Sequence, residues 1–313
     1  MSPPLAHSRG FALLGDLFLQ GLTPRAREAW AQVPDAEALI AALAEEAAAE
    51  QYTRAFTLEL APFESAFLSH DGLVGGDIAA SVRELRARCG LDPATDAPDH
   101  LGEELRWMSF LTGAAADAAR DRMPAQAIHE LERAVLDEHL LRWLPALVAS
   151  LRAQSEPPPL LALAADLSLA LAVHRRVELG GAPTPWSLAP LTPVLDDERA
   201  GLRRIAEHLA IPAQAGGCFC RSTLVGIGRA FELPAGFGAR ADLLEGLLRS
   251  AAHYGRVPEL CAAVDAQVVA WDLEWGLLDQ AGLAPLAAPW HARIAETRRL
   301  LERVAGGSPK PER

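Results

Sequence analysis

Lysine, tyrosine and cysteine are scarce in this sequence of 313 residues, which contains one lysine, two tyrosines and four cysteines. Four cysteines in a chain of this length do not make a disulfide framework, so we expect a reducing compartment. The longest apolar stretch, residues 160–173, includes Asp166 and is too short to span a bilayer. The N-terminal residues also lack the cleavage site of a secretory leader, and we therefore predict a soluble cytoplasmic protein.

Positive charge is also in short supply. The sequence has 29 lysine and arginine residues against 41 aspartate and glutamate residues, which gives a formal net charge of −12 at pH 7. Proteins that bind nucleic acids need clustered lysine and arginine side chains to neutralise phosphates. We therefore expect no nucleic-acid partner, and a negatively charged protein of this kind is better suited to a basic partner.

Alanine and leucine fill most of the apolar positions, whereas isoleucine and threonine are rare, and this composition favours helix over sheet. We predict an all-α fold in which a helical bundle is followed by a second, smaller helical domain. The apolar periodicity and the turn residues predict helices near residues 10–20, 24–32, 35–56, 76–89, 99–112, 125–153, 160–178, 196–209, 220–231, 239–253, 257–280 and 289–304.

The segment GGAPTPWSLAPLTP is rich in glycine and proline and is the strongest candidate for a linker. It divides the chain into a first domain (1–180), a linker (181–193), a helical C-terminal domain (194–305) and a disordered tail (306–313). We expect Trp186 in the linker to pack across the domain boundary. Residue types alone indicate no function for the C-terminal domain.

The segment DAPDHLGEEL combines acids with a histidine at the start of a predicted helix. His100, Glu103 and Glu104 are at positions i, i+3 and i+4, so both carboxylates can lie beside the imidazole. Asp96 or Asp99 can cap the helix, and acids in a first turn also suit the helix dipole. The spacing therefore indicates a well-capped helix start, and the same acids would also suit a cationic ligand.

Residues from about 10 to 180 resemble the TorD/DmsD family of cytoplasmic chaperones, which mature molybdenum-containing redox enzymes. Asp99 and His100 match the Asp-His pair of the family's hinge motif, whereas Asp96 stands in place of a glutamate and Ala97 in place of a proline. Ala55 replaces the usual leucine of the first motif. The resemblance rests on four stretches in the same order as in the family: QYTRAF, APFESAFLSHDGL, DAPDHLGEELRWMSFL and LDEHLLRWLPAL.

The resemblance implies a TorD-like helical domain without enzymatic activity and without a cofactor of its own. Its partner would be the precursor of a molybdenum-containing oxidoreductase, bound through the twin-arginine leader and the apoenzyme before cofactor insertion and export. Helical chaperones of this kind can exchange domains, so a homodimer is compatible with the sequence.

A twin-arginine leader presents two guanidinium groups followed by an apolar segment, and its receptor needs acids beside an apolar groove. We expect Glu64 and Asp99 to face one such groove. Phe56, Phe63 and Phe67 are also typical of a buried core. The predicted peptide-binding residues are Tyr52, Phe56, Phe63, Glu64, Phe67, Asp96, Asp99, His100, Glu103 and Glu104.

Enzymatic interpretations find little support, because no nucleophile motif, phosphate-binding loop or Glu-x-x-His pair is present. The alternative is a helical metal-binding or redox-sensing protein centred on Cys218 and Cys220. Two thiolates make half of a tetrahedral zinc site, which Cys261 or His253 could complete. A third interpretation is a scaffold or adaptor that does not recognise a leader.

Overall fold

The computed structural model describes residues 3–91, 96–154, 156–196, 201–234 and 236–307, and most of these are helical. Within them, extended pairing is limited to an isolated antiparallel bridge between Phe63 and His100. The prediction of an all-α fold is therefore confirmed. The α-helices are α1 (Pro3–Gln20), α2 (Pro24–Trp30), α3 (Ala36–Ala42), α4 (Glu45–Tyr52), α5 (Glu64–Leu68), α6 (Gly76–Arg88), α7 (Leu101–Arg120), α8 (Gln126–Val135), α9 (Leu141–Arg152), α10 (Pro159–Leu179), α11 (Leu202–Ala210), α12 (Pro212–Ala215), α13 (Arg221–Ala230), α14 (Arg240–Tyr254), α15 (Val257–Gln280) and α16 (Ala284–Gly306).

Two predicted long helices are interrupted. The predicted helix over 35–56 divides into α3 and α4, and a π-helical segment, Thr53–Glu59, follows α4. The predicted helix over 125–153 contains a second π-helical segment, Leu136–Leu140, between α8 and α9. A π-helical turn inserts a residue and rotates the following side chains around the axis. Apolar periodicity does not reveal such an insertion, so both interruptions were missed.

Helices α1 and α7 cross at their glycines. A Cβ atom on Gly102 would lie 2.8 Å from the Gly15 carbonyl oxygen and 2.5 Å from Cγ of Leu19. A Cβ atom on Gly15 would lie 2.9 Å from the Gly102 carbonyl oxygen. Any larger residue would force the two backbones apart, because interiors are close-packed. The crossing fixes the start of α7 against α1.

The helices after the predicted linker pack back onto the first half of the chain. The indole nitrogen of Trp290 donates to the Arg142 carbonyl oxygen at 2.7 Å. Trp186 donates to the Leu286 carbonyl oxygen at 3.0 Å, and the Arg142 guanidinium lies 4.9 Å from its ring centroid. The buried apolar residues of both halves form one hydrophobic cluster, which includes Trp143 and Trp271.

The division into two domains stays a prediction. The predicted linker, 181–193, is free of helix and follows directly on α10 and Gly180. Most of the predicted tail, residues 308–313, lies outside the described residues, and Gly306 closes α16. None of the described helices combines the length and the apolar character that crossing a bilayer requires.

Candidate functional site

Four polar side chains meet inside the first half of the protein, and we call them the buried acid cluster: Glu64, Asp99, Glu104 and His139. Glu64 is the first residue of α5, Asp99 lies just before α7, and Glu104 is in the first turn of α7. His139 belongs to the π-helical segment 136–140. All four side chains are buried, and Glu104 is fully shielded from solvent.

Glu64 and His139 form the centre of this cluster. Nδ1 of His139 lies 3.0 Å from Oε2 and 3.2 Å from Oε1 of Glu64. Burial raises the pKa of Glu64 well above its ordinary value, and burial lowers the pKa of His139. Removal from water disfavours the charged form of either group. Burial therefore favours a neutral hydrogen bond over an ion pair.

Glu104 is the second buried carboxyl group beside Glu64. Its Oε2 accepts a hydrogen bond from the indole nitrogen of Trp143 at 3.1 Å. Burial, together with the charge of Glu64, raises the pKa of Glu104 well above its ordinary value. Two carboxylates cannot both ionise in such surroundings without a large penalty. Burial therefore favours protonation of these carboxyl groups, although the charge of Arg142 opposes the shift at Glu64.

Asp99 joins the segment before α7 to the start of α5. Its Oδ2 accepts from the Ser65 backbone nitrogen at 3.1 Å and from the Ser65 hydroxyl group, and its carbonyl oxygen accepts from the Glu64 nitrogen at 2.8 Å. The Gly75 nitrogen donates to the same Ser65 hydroxyl oxygen at 2.8 Å. Asp99 thus fixes, through Ser65, the loop that follows α5.

The cap of α7 differs from the prediction. Neither Asp96 nor Asp99 caps this helix, because Asp96 is exposed and Asp99 binds Ser65. His100 is the capping residue, and its Nδ1 accepts from the Gly102 nitrogen at 3.1 Å. Burial lowers the pKa of His100 to about 4, although the Asp99 charge opposes the shift. A neutral ring keeps Nδ1 free to accept at pH 7.

The structure separates the predicted peptide-binding residues into two sets. Glu64 and Asp99 face the protein interior rather than an open groove, and His100, Glu104, Phe56 and Phe67 are also buried. The remaining residues reach the surface to different degrees, and these are Tyr52, Phe63, Asp96 and Glu103. The part of all ten residues in leader binding stays a prediction.

The second set is held by local contacts. The Tyr52 hydroxyl group donates to the Phe18 carbonyl oxygen. The Phe63 ring packs edge-on against His100 with 4.9 Å between ring centroids. The Glu103 side chain is 20% exposed, and its Oε2 lies 3.5 Å from a guanidinium nitrogen of Arg86. Asp96 is exposed, and so its carboxylate is accessible from solvent.

A surface pocket that the sequence did not indicate lies next to the buried acid cluster. We call it the loop pocket: it has a volume of about 410 Å³ and is lined by residues 68–71, 73–78 and 189. The carboxylate-bearing residues Asp71 and Asp77 are exposed there. Leu73 is 66% exposed and Val74 is 53% exposed. The loop pocket therefore presents acids beside apolar side chains at the surface.

Short-range hydrogen bonds hold the loop pocket in shape. Oδ1 of Asp71 accepts from the Leu73 nitrogen at 3.0 Å, and the Ser69 hydroxyl group donates to the Leu73 carbonyl oxygen at 3.0 Å. The side-chain amide of Gln214 donates to the His70 carbonyl oxygen at 2.7 Å. The glycines of the segment SHDGLVGG, in particular Gly75 with φ of 98°, were the available sequence signal for this turn.

The cysteines do not assemble into a metal site within the described residues. Cys218, Cys220 and Cys261 are buried, and no three-residue group of potential ligands there includes any of them. Burial raises the pKa of Cys220 well above its ordinary value and that of Cys261 to about 11. Cys261 and His253 thus form no ligand group with Cys218 and Cys220 among the described residues, and the metal-binding alternative stays a prediction.

Residues 20–149 match the protein family described as the nitrate reductase delta subunit. No curated protein and no solved structure matches the chain at a significant level. The matched residues include the whole buried acid cluster. They also include the loop pocket apart from Ala189.

Proposed function

We propose, from the match of residues 20–149 to the nitrate reductase delta subunit family, that the protein is a cytoplasmic chaperone for redox-enzyme maturation. Its client is the precursor of a molybdenum-containing oxidoreductase. The chaperone binds the twin-arginine leader or the apoenzyme of this client before cofactor insertion and export. This function requires recognition of a peptide and no bond chemistry.

The loop pocket is the feature that best supports leader binding. Each guanidinium group of the leader can pair with a carboxylate of Asp71 or Asp77, and the apolar segment that follows can lie on Leu73 and Val74. The local hydrogen bonds of the loop preform this surface, which lowers the entropic cost of binding a flexible peptide. The single observation that carries the proposal is this meeting of exposed acids and exposed apolar side chains.

The residues expected from the sequence would then act in two ways. Asp96, Glu103, Phe63 and Tyr52 lie at or near the surface and can contribute direct contacts to the peptide or the apoenzyme. Glu64, Asp99 and Glu104 are buried and would position the loop pocket instead, because Asp99 reaches the loop through Ser65 and Gly75. His100, Phe56 and Phe67 would support this arrangement from the core.

The loop pocket also contains Ser69, His70 and Asp71, which are residue types found in hydrolases. Their geometry favours binding over catalysis, because the Ser69 hydroxyl group donates to the Leu73 carbonyl oxygen and not to an imidazole. The Asp71 carboxylate accepts from the Leu73 backbone nitrogen. An activated serine needs a base within hydrogen-bonding reach and a group that orients that base.

A binding titration tests the leader proposal. The probe is a fluorescent peptide with two adjacent arginines followed by an apolar segment, and its anisotropy is measured against the full chain. The double variant D71N/D77N removes both charges, and an asparagine at 71 can still accept from Leu73. Surface ion pairs contribute up to about 1 kcal/mol each, so we expect binding about tenfold weaker or more.

The matched control is D117N/D121N, which removes two exposed carboxylates from the end of α7 and changes the net charge equally. We expect this control to bind the peptide like the wild type. A peptide with two lysines should bind more weakly, because lysine lacks the planar guanidinium group through which arginine makes two hydrogen bonds to a carboxylate. Equal affinity of both double variants would exclude the loop pocket as the binding surface. Purification from the native cytoplasm without any molybdoenzyme precursor would contradict the chaperone function itself.

A further inference from the structure

Three side chains outside the candidate site form a cluster of metal-ligand type at the contact between α1 and α10. They are His7, His174 and Glu178, and one ligand atom from each lies within 4.8 Å of the others. We propose that these residues bind a divalent transition-metal ion of the Zn²⁺ class. This proposal is independent of the proposed chaperone function.

The spacing of the three side chains suits one ion. Nε2 of His174 lies 3.3 Å from Oε1 of Glu178, and Nδ1 of His7 lies 3.5 Å from Oε2 of the same carboxylate. Zinc bonds to histidine nitrogen and carboxylate oxygen are about 2.0–2.2 Å long, so neighbouring ligand atoms in a tetrahedral site are about 3.3–3.6 Å apart. The observed separations therefore need little side-chain movement to receive an ion.

His7 supplies an independent reason to expect a ligand. His7 as a whole is only 7% exposed, and its Nδ1 has no hydrogen-bond partner within the described part of the chain. A buried polar atom without a partner costs free energy, and metal coordination through this nitrogen would remove that cost. The nitrogen points to the Glu178 carboxylate, where the ion would lie.

The other two ligands lie on one face of α10, where positions i and i+4 are adjacent. The His174 side chain is 63% exposed and the Glu178 side chain is 33% exposed, so an ion can enter from solvent and keep water in its remaining coordination positions. Two imidazoles, one carboxylate and water form a common coordination set for zinc.

The nearest cation does not exclude a metal ion. A guanidinium nitrogen of Arg175 lies 3.1 Å from Oε2 of Glu178, but Nε of the same side chain donates to Glu132 at 2.7 Å. Glu132 thereby balances the positive charge of Arg175. The negative charge of Glu178 then stays available to attract the metal ion. Arg175 also holds one oxygen of Glu178, and such outer contacts orient the ligands of a metal site.

Calorimetric titration of the untagged full chain with Zn²⁺ at pH 7 tests this proposal, with Mg²⁺ as the comparison ion. We expect the wild type to bind one Zn²⁺ ion, and Mg²⁺ to bind much more weakly because it prefers oxygen ligands. The variants H174A and E178Q should each weaken Zn²⁺ binding about tenfold or more. Both positions are partly exposed, so neither variant should unfold the protein.

The control variant is H253A, because His253 is an exposed histidine on α14 outside the cluster. Zinc should raise the melting temperature of the wild type and of H253A, because an ion that binds the folded chain stabilises it. Zinc should not raise the melting temperature of H174A in the same way. Equal zinc affinity of wild type and H174A would overturn the proposal, and so would an equal loss of affinity in H253A.

Discussion

Glu64 and His139 are 75 residues apart in the sequence, and in the folded protein they form a hydrogen bond of 3.0 Å in the core. Burial raises the pKa of Glu64 and lowers the pKa of His139, which favours the neutral form of both groups. This bond joins α5 to the π-helical segment 136–140. The pair is therefore structural, and the strength of its hydrogen bond depends on the protonation of Glu64 and His139.

The neighbouring Glu104 gives a prediction about pH. Its pKa is raised in the folded state, so the folded chain holds this proton more tightly than the unfolded chain. The resulting stability is fully present below the ordinary value of 4.5 and is lost as the pH rises towards the folded pKa. The neutral variant E104Q escapes this loss and can still accept from Trp143. We expect E104Q to melt a few degrees above the wild type at pH 8.

Thermal unfolding of E104Q and wild type at pH 5 and pH 8, followed by circular dichroism, checks this expectation. The advantage of E104Q should grow with pH. E103Q is the matched control, because it changes the adjacent, partly exposed carboxylate. An E104Q variant that is less stable than the wild type at both pH values would contradict the proposed protonated state.

Ser65 is predicted to connect the buried acid cluster to the loop pocket. The variant S65A removes the hydroxyl group that binds Asp99 and accepts from the Gly75 nitrogen. We expect a loss of about 1–3 kcal/mol, because a buried acceptor and a loop donor lose a partner. Hydrogen exchange of the Gly75 amide should become faster.

The variant S150A is the control for S65A, because this buried serine donates within its own helix to the Ala146 carbonyl oxygen at 2.6 Å. S150A should leave exchange at Gly75 unchanged. Equal protection of the Gly75 amide in S65A and wild type would show that the loop does not depend on Ser65.

The sequence predicted the helices whose apolar periodicity is regular, and α15 was predicted over the residues that the structure gives. The short helices α5 and α12 were not predicted, because five or four residues are too few to show a period. Helix α16 begins at Ala284 and continues through Pro289, although the prediction started the helix at 289. Pro285 lies in the first turn, where no helical hydrogen bond is lost, whereas Pro289 lies inside the helix and leaves the Pro285 carbonyl oxygen without its helical donor.

The candidate site was predictable in part. Five acids were singled out from the sequence, and the structure brings three of them together, namely Glu64, Asp99 and Glu104. Their burial could not be predicted from spacing along α7, because it results from the segment around Phe63 pairing with His100. His139 was missed as a partner for Glu64, since the π-helical turn that directs it inwards leaves no periodic signal.

Thiol reactivity tests the redox-sensing alternative. Cys218, Cys220 and Cys261 are buried, and Cys89 is half-buried. Burial raises the pKa of all four thiols, so little reactive thiolate is present at pH 7. With a chromogenic disulfide reagent we expect slow labelling of Cys89 at most in the folded protein, and labelling of four thiols after denaturation. Rapid labelling of Cys218 in the folded chain would support the alternative.

Arg176 and Asp137 form a buried ion pair that should dominate the stability of the first half. Two guanidinium nitrogens of Arg176 bind the two carboxylate oxygens of Asp137 at 2.5 and 2.9 Å. Arg176 also donates to the carbonyl oxygens of Gly180 at 2.8 Å and Gly181 at 3.1 Å, which anchors the start of the linker. The variant R176M leaves the Asp137 charge buried without its partner. We expect urea unfolding to show a loss of about 3–5 kcal/mol.

The variant R120M separates the effect of burial from the effect of losing a charge, because it removes an exposed arginine instead of a buried one. Arg120 pairs with Asp117 and Asp121 at the end of α7, but its side chain is 71% exposed. Exposed pairs contribute about 0–1 kcal/mol, so R120M should unfold at nearly the same urea concentration as the wild type. The double variant D137N/R176M should be more stable than R176M alone, because it no longer buries an unpaired carboxylate. Similar losses in R176M and R120M would mean that the Asp137 carboxylate is not isolated from solvent when Arg176 is removed.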